Sequence, residues 1–255
     1  YNDYDYTRNP ELKGFNNDFP FPPEIEVASP YLAVRHRRTE AELTALITTM
    51  RQRAVEPTDA ARFATWIDET RTYLNRVPSG WEPVKNATAE FRLRDKVIPA
   101  HPLKIEPDGT LRLEKPLEFR ESLRLTFRPD QGRVTAIKIE VLSAVVPIEN
   151  PVWRYPVAPL TVSASLQDAQ GKIRNLKIVF ADASAKMDRF INGTEFHGIA
   201  AGWRLPTPAK TETLTGVWLL AEPLALASGE SLLLTLAGEE LPTLRLATSH
   251  LGAPH

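Results

Sequence analysis

The chain of 255 residues contains no cysteine. That absence excludes disulfides, thiolate metal sites, a cysteine nucleophile and covalent attachment of c-type haem to this polypeptide, and it leaves the compartment open. Methionine is scarce too, with two residues, the first at Met50. A start at Tyr1 therefore leads to the expectation of a mature, cleaved or trimmed chain. No run of about 20 apolar residues occurs, the length a membrane-spanning helix needs. The N-terminus has neither the basic nor the apolar region of a secretory signal. An excess of one charge sign is missing as well: 31 basic residues face 32 acidic ones, for a formal net charge of −1. No global field draws such a chain to nucleic acid or to an anionic membrane.

What is present is an ordinary globular composition, 42% hydrophobic and 25% charged, long enough for one large β domain or two small domains. The opening stretch YNDYDYTRNPELKGFNNDFPFPPEIEV is too aromatic for a disordered tail. Its prolines Pro10, Pro20, Pro22 and Pro23, with Pro30 beyond, favour extended geometry. We read residues 1–35 as an extended arm whose Tyr4, Tyr6, Phe15, Phe19 and Phe21 pack on a partner or a preceding domain. Residues 36–80 read as a helical hairpin. Thr39 and Glu42 form a capping box, Leu43, Leu46, Ile47 and Met50 follow at helical spacing, and Glu56-Pro57 breaks the run. A second helix from about Thr58 to Asn75 carries Phe63, Trp66, Ile67 and Leu74 on one face, and Pro78-Ser79-Gly80 ends it.

From Trp81 the apolar period changes from 3.6 to 2. Leu123, Leu125 and Phe127 alternate with polar residues, as do Ile137, Ile139 and Val141. Similar runs recur at Leu160–Leu166, Ile173–Phe180, Gly216–Leu220, Ser231–Leu236 and Leu244–Thr248, separated by turn signals such as Asp108-Gly109 and Gln170-Gly171. The prediction is a mainly β fold, with residues 81–255 forming a jelly-roll-like antiparallel β-sandwich.

Motifs for chemistry are few. His36, His101, His197, His250 and His255 are scattered without metal-binding spacing. No G-x-S-x-G elbow, P-loop or G-x-G-x-x-G is present. Carboxylate pairs of the glycosidase type cannot be selected from 32 acidic residues. One stretch stands out, the insertion from Ala181 to Trp203, which combines Asp182, Asp188, Asn192 and Glu195 with His197 and Trp203. Such a mixture suits sugar contact, an aromatic face packing on the C–H face of a ring while carboxylates and amides bond its hydroxyls. Oxygen ligands there equally suit a structural Ca²⁺, and an Asx-rich loop whose aromatics plug the sandwich is the third reading. Asn86-Ala-Thr88 and Asn192-Gly-Thr194 match the N-glycosylation pattern.

Several blocks resemble the large planctomycete-type cytochrome-c proteins. These blocks are Asp5–Val27 with Tyr31–Arg35, the run Thr135-Ala-Ile-Lys-Ile-Glu-Val-Leu142, Ile191-Asn-Gly-Thr-Glu195 through Gly202-Trp203, and Leu244-Arg-Leu-Ala-Thr-Ser249. The resemblance implies a secreted or periplasmic protein with a galactose-binding-like, discoidin-like β-sandwich and a role around glycan use. It also implies haem c on another part of the precursor or on a partner chain. Three departures accompany it: no haem motif, Asn192 in place of the usual Asp, and Pro147–Pro159 in place of a conserved connection. The expected function is a non-catalytic subunit that docks onto a haem-bearing or catalytic polypeptide and contacts glycan through Asp182, Asp188, Asn192, Glu195, His197 and Trp203. The alternatives are a contribution to a polysaccharide-oxidising or polysaccharide-cleaving site completed by the partner, and a purely structural spacer.

Overall fold

The computed structural model describes residues 29–114, 117–118, 120–130, 132–142, 159–187, 190–191, 194–195, 197–206, 213–238 and 243–251. The chain divides at Ser79 and Gly80 into a helical unit and a β unit. The aromatic residues assigned to the arm, Tyr4, Tyr6, Phe15, Phe19 and Phe21, lie outside the described residues.

In the helical unit, helix α1 spans Pro30–Ala54 and α2 spans Pro57–Arg76. Helix α1 starts earlier than the Thr39–Glu42 box implies. The Ser29 side chain accepts a hydrogen bond from Leu32 N at 3.4 Å, and Pro30 follows at the first turn, where a missing N–H costs nothing. Thr39 and Glu42 are thus interior positions, and Glu42 instead accepts from Arg38 Nε at 2.8 Å one turn away. Pro57 opens α2 in the same manner, which is why the helix break predicted at Glu56-Pro57 is where α1 gives way to α2. No residue of α1 is buried, and in α2 only Tyr73 is.

The β unit is a sandwich of two antiparallel sheets. Its strands are β1 (Glu82–Pro83), β2 (Thr88–Leu93), β3 (Lys96–Val97), β4 (Leu103–Ile105), β5 (Thr110–Leu113), β6 (Glu121–Phe127), β7 (Arg133–Val141), β8 (Thr161–Gln167), β9 (Ile173–Asn175), β10 (Ile178–Ala183), β11 (Phe190–Ile191), β12 (Thr194–Glu195), β13 (Leu214–Ala225), β14 (Ser231–Ala237) and β15 (Leu244–Ser249). One sheet runs β10-β13-β7-β15-β5-β4 with β1 also on β15, and the other runs β3-β2-β6-β14-β8-β9. Short β11 and β12 pair only with each other.

Alternation decides which side chains meet between the sheets. Leu123, Leu125 and Phe127 of β6 and Leu232, Leu234 and Leu236 of β14 join Ile137, Ile139 and Val141 of β7 and Leu244 and Leu246 of β15 in one buried cluster. The run Ile173–Phe180, read from sequence as one strand, is two. It breaks at Leu176-Lys177, so β9 pairs with β8 in one sheet and β10 with β13 in the other. The chain likewise changes sheet between β6 and β7 and between β13 and β14. Arg128 holds these two crossings together: its guanidinium donates to the carbonyls of Leu226 at 3.0 Å, Ala227 at 2.5 Å and Glu230 at 2.8 Å. Gly132, at φ 62°, accepts from Leu226 N at 2.7 Å in the same corner.

Candidate functional site

The insertion singled out in the sequence follows β10, an edge strand. Its first residues are held to the sheet, Ser184 N donating to Thr215 O at 2.8 Å and Thr215 N to Ser184 Oγ at 3.0 Å. Its last residues return against the same strand. Ile199 N donates to Ala181 O at 2.9 Å, and Gly198 takes φ 77° where a side chain would collide with that carbonyl. Met187 N donates to Arg204 O at 3.0 Å, which closes the base of the loop.

Trp203 is 0% exposed. Its backbone bridges Leu160 in both directions, its indole Nε1 donates to Ala185 O at 3.0 Å, and its ring meets Trp218 edge-on with centroids 6.0 Å apart. Both rings rest over Gly216, where an added Cβ would lie 2.8 Å from the Trp218 ring and 3.0 Å from that of Trp203. The ring therefore belongs to the core, and the expectation that it offers a face to sugar is corrected. A buried indole needs a partner for its N–H, and the Ala185 carbonyl supplies one at the price of fixing the loop.

Asp182 is half-buried and accepts hydrogen bonds from Lys186 Nζ and Ala183 N. The ammonium of Lys186, and then the Ala183 N–H, hold its carboxyl below the ordinary aspartate value. Its acceptor capacity is partly spent within the loop. His197 is exposed and makes a contact of its own. The backbone of Glu195 forms β12, while Asp188 and Asn192, on which the sugar and calcium readings also drew, lie outside the described residues. Of the six predicted residues, the structure places Asp182 and Trp203 at the two ends of one loop base, one on the sheet surface and one beneath it.

Two other features lie outside that loop. The first is a charged row on the outer face of the β10-containing sheet. Lys138 Nζ lies 2.8 Å from Glu140 Oε1 and 5.3 Å from the centroid of Trp81. Arg245 reaches Glu140 Oε2 at 3.2 Å and Asp108 Oδ2 at 3.0 Å. Burial alone raises the Glu140 carboxyl, but Lys138 and then Arg245 outweigh it and hold the group below the ordinary glutamate value. Thr110, through its hydroxyl and then its N–H, lowers Asp108, with Arg245 adding to the effect. Every charge in this row already has a partner, so the row reads as a clasp of β7 and β15 onto the β4–β5 hairpin.

The second feature is the apolar face of the helices. Leu43, Leu46, Ile47 and Met50 of α1 are 55%, 57%, 40% and 61% exposed. Phe63 and Trp66 of α2 stack with centroids 5.7 Å apart and are also exposed, as is Leu74. The helical spacing was visible in the sequence; that it stays uncovered was not. No helix among the described residues is long and apolar enough to cross a membrane. Among the described residues no cluster of three or more His, Asp and Glu is placed to hold a metal ion. Comparison of the chain with protein-family models, curated proteins and solved structures finds no match.

Proposed function

We propose that the chain is a non-catalytic docking module, in which a β-sandwich accompanies a helical unit that presents its apolar face to another polypeptide. The observation that carries this reading is the exposed stripe of α1 and α2. Large aliphatic and aromatic side chains at helical spacing that are exposed in this way mark an association surface. Burying such a stripe gains roughly 25 cal/mol per Å² of apolar area, the term that drives most protein association.

The sequence blocks that resemble planctomycete-type cytochrome-c proteins support a haem-bearing or catalytic polypeptide as the partner, in a secreted or periplasmic setting. Docking is favoured over glycan contact because the indole of the 182–203 loop lies in the core and Asp182 is engaged by Lys186. The mass of the intact particle, measured natively from its natural source, tests the proposal. A second polypeptide travelling with this chain is the expected result; a stable lone monomer would overturn it.

A further inference from the structure

The β unit has open edges of its own, and they differ in charge. Beyond the two-residue strands β1 and β3, its sheets end in β4, β9 and β10. The free side of β10 is engaged at Ala181, whose carbonyl accepts from Ile199 N at 2.9 Å, and a bulge interrupts the strand between Ile178 and Phe180. Strand β4 is balanced in charge, with Glu106 Oε1 lying 3.4 Å from Lys104 Nζ and 3.3 Å from Arg112 Nε. Strand β9 is neither bulged nor neutralised.

Pairing with β8 sets Ile173 opposite Gln167, Arg174 opposite Leu166 and Asn175 opposite Ser165. On either side of these pairs, Asp168 N donates to Lys172 O at 3.0 Å and Leu176 N donates to Ala164 O at 2.9 Å. The ladder bonds therefore fall on alternate residues, and the N–H and C=O groups of Ile173 and Asn175 point away from β8. Both residues are exposed, and among the described residues no further strand lies on that side. Lys172, Arg174 and Lys177 are exposed as well, and among the described residues none of them is in an ion pair. No acidic residue stands between Asp168 and Asp182 in the sequence. The Asp168 carboxylate is itself turned to the backbone, accepting from Gln170 N at 3.0 Å and Lys172 N at 2.8 Å.

Open backbone groups on alternate residues match another extended chain, and unmatched cations beside them select its charge. From these two observations together, we infer that β9 is an attachment edge for an acidic extended segment of another polypeptide, which adds to the sheet as a further strand. Carboxylates at alternate positions of that segment would lie opposite Lys172 and Arg174, and an apolar side chain between them would lie beside Ile173, which is 44% exposed. A second copy of β9 fits less well. In the antiparallel register that engages both Ile173 and Asn175, Arg174 faces its own copy, and like charges directly opposite are destabilising. A flat bilayer fits less well too, because Ile173 and the exposed Phe180 sit on the outer faces of different sheets.

This edge goes beyond the helical docking surface and is tested apart from it. The full chain is titrated with two short synthetic peptides that alternate valine with glutamate in the first and valine with lysine in the second. The glutamate peptide is expected to bind at least about tenfold tighter, with an affinity that falls as salt rises. Its binding should slow amide exchange at Ile173 and Asn175, and replacing its central valines by proline should abolish it. K172E/R174E should reverse the charge preference. Both side chains are exposed, so near-ultraviolet dichroism of the core tryptophans should match that of the parent chain.

Equal binding of the two peptides, or binding of neither, would overturn the inference and leave the cations as a guard against edge-to-edge association. Binding that leaves exchange at Ile173 and Asn175 unchanged, or that survives the prolines, would overturn strand addition. So would binding of phosphatidylserine vesicles in place of the peptides. L46D/I47D, on the exposed stripe of α1, should bind the glutamate peptide as the parent does, which separates this edge from the helical surface.

Discussion

Gly216 shows how much one missing side chain decides. It occupies an inward-facing position of β13 where the rings of Trp218 and Trp203 both need the space that a Cβ would fill. Gly216→Ala should therefore destabilise the β unit by about 1–3 kcal/mol, the usual cost of overpacking, measured by denaturant unfolding followed through near-ultraviolet dichroism of the tryptophans. Trp203 is the clearest limit of single-residue reading. An aromatic beside Asp, Asn and His in a loop has the composition of a sugar site, yet its environment is set by Leu160, Ala185 and Trp218. None of these contacts leaves a local mark in the sequence.

Glu140 carries a prediction about pH. Its carboxyl, 16% exposed in its side chain, is lowered in the folded state by Lys138 and Arg245 against the opposing effect of burial. A lowered folded value means that its contribution is fully present above the ordinary glutamate range and disappears as pH falls through the depressed value. Glu140→Gln should cost about 1–3 kcal/mol near neutral pH, since two cations lose their partner. The gap between variant and parent should close on acidification, checked by urea midpoints measured across that range.

At the scale of elements, period and turn chemistry made most strands legible. Leu123–Phe127, Ile137–Val141 and Ser231–Leu236 alternate cleanly because one face of each is in the core. What alternation cannot express is which sheet a strand joins. Ile173–Phe180 reads as one apolar run, but Leu176 and Lys177 form the step between sheets. Helix starts were displaced for a related reason: Ser29-Pro30 caps α1 ahead of the stronger-looking Thr39–Glu42 pair, so the helix extends into the segment assigned to the arm. Arg128 illustrates a contact between elements far apart in sequence. Its guanidinium joins the β6–β7 crossing to the β13–β14 crossing. Arg128→Ala should lose about 1–2 kcal/mol and speed amide exchange at Leu226 and Ala227, whose positions depend on that corner.

On the scale of the whole molecule, the two units differ in what holds them. The β unit has a continuous buried cluster fed by both sheets, whereas α1 buries nothing. A helix without packing is marginal in water, because propensity alone does not offset the entropy of ordering it. Amides of α1 should therefore exchange far faster than those of β7 and β14 in the isolated chain, and the difference should shrink when a partner covers the stripe. Amphipathicity shows where the stripe is, while its exposure depends on whether another element packs over it, which no local pattern encodes.

The two methionines allow the most direct test of the docking account. Met50 lies on the exposed stripe of α1, and Met187 lies exposed on the loop of the β unit. Brief peroxide or hydroxyl-radical oxidation, read by peptide mass spectrometry, should modify both residues in the isolated chain. In the natural particle the account predicts that Met50 is protected while Met187 continues to react. Equal oxidation of Met50 in the particle and in the isolated chain would contradict it.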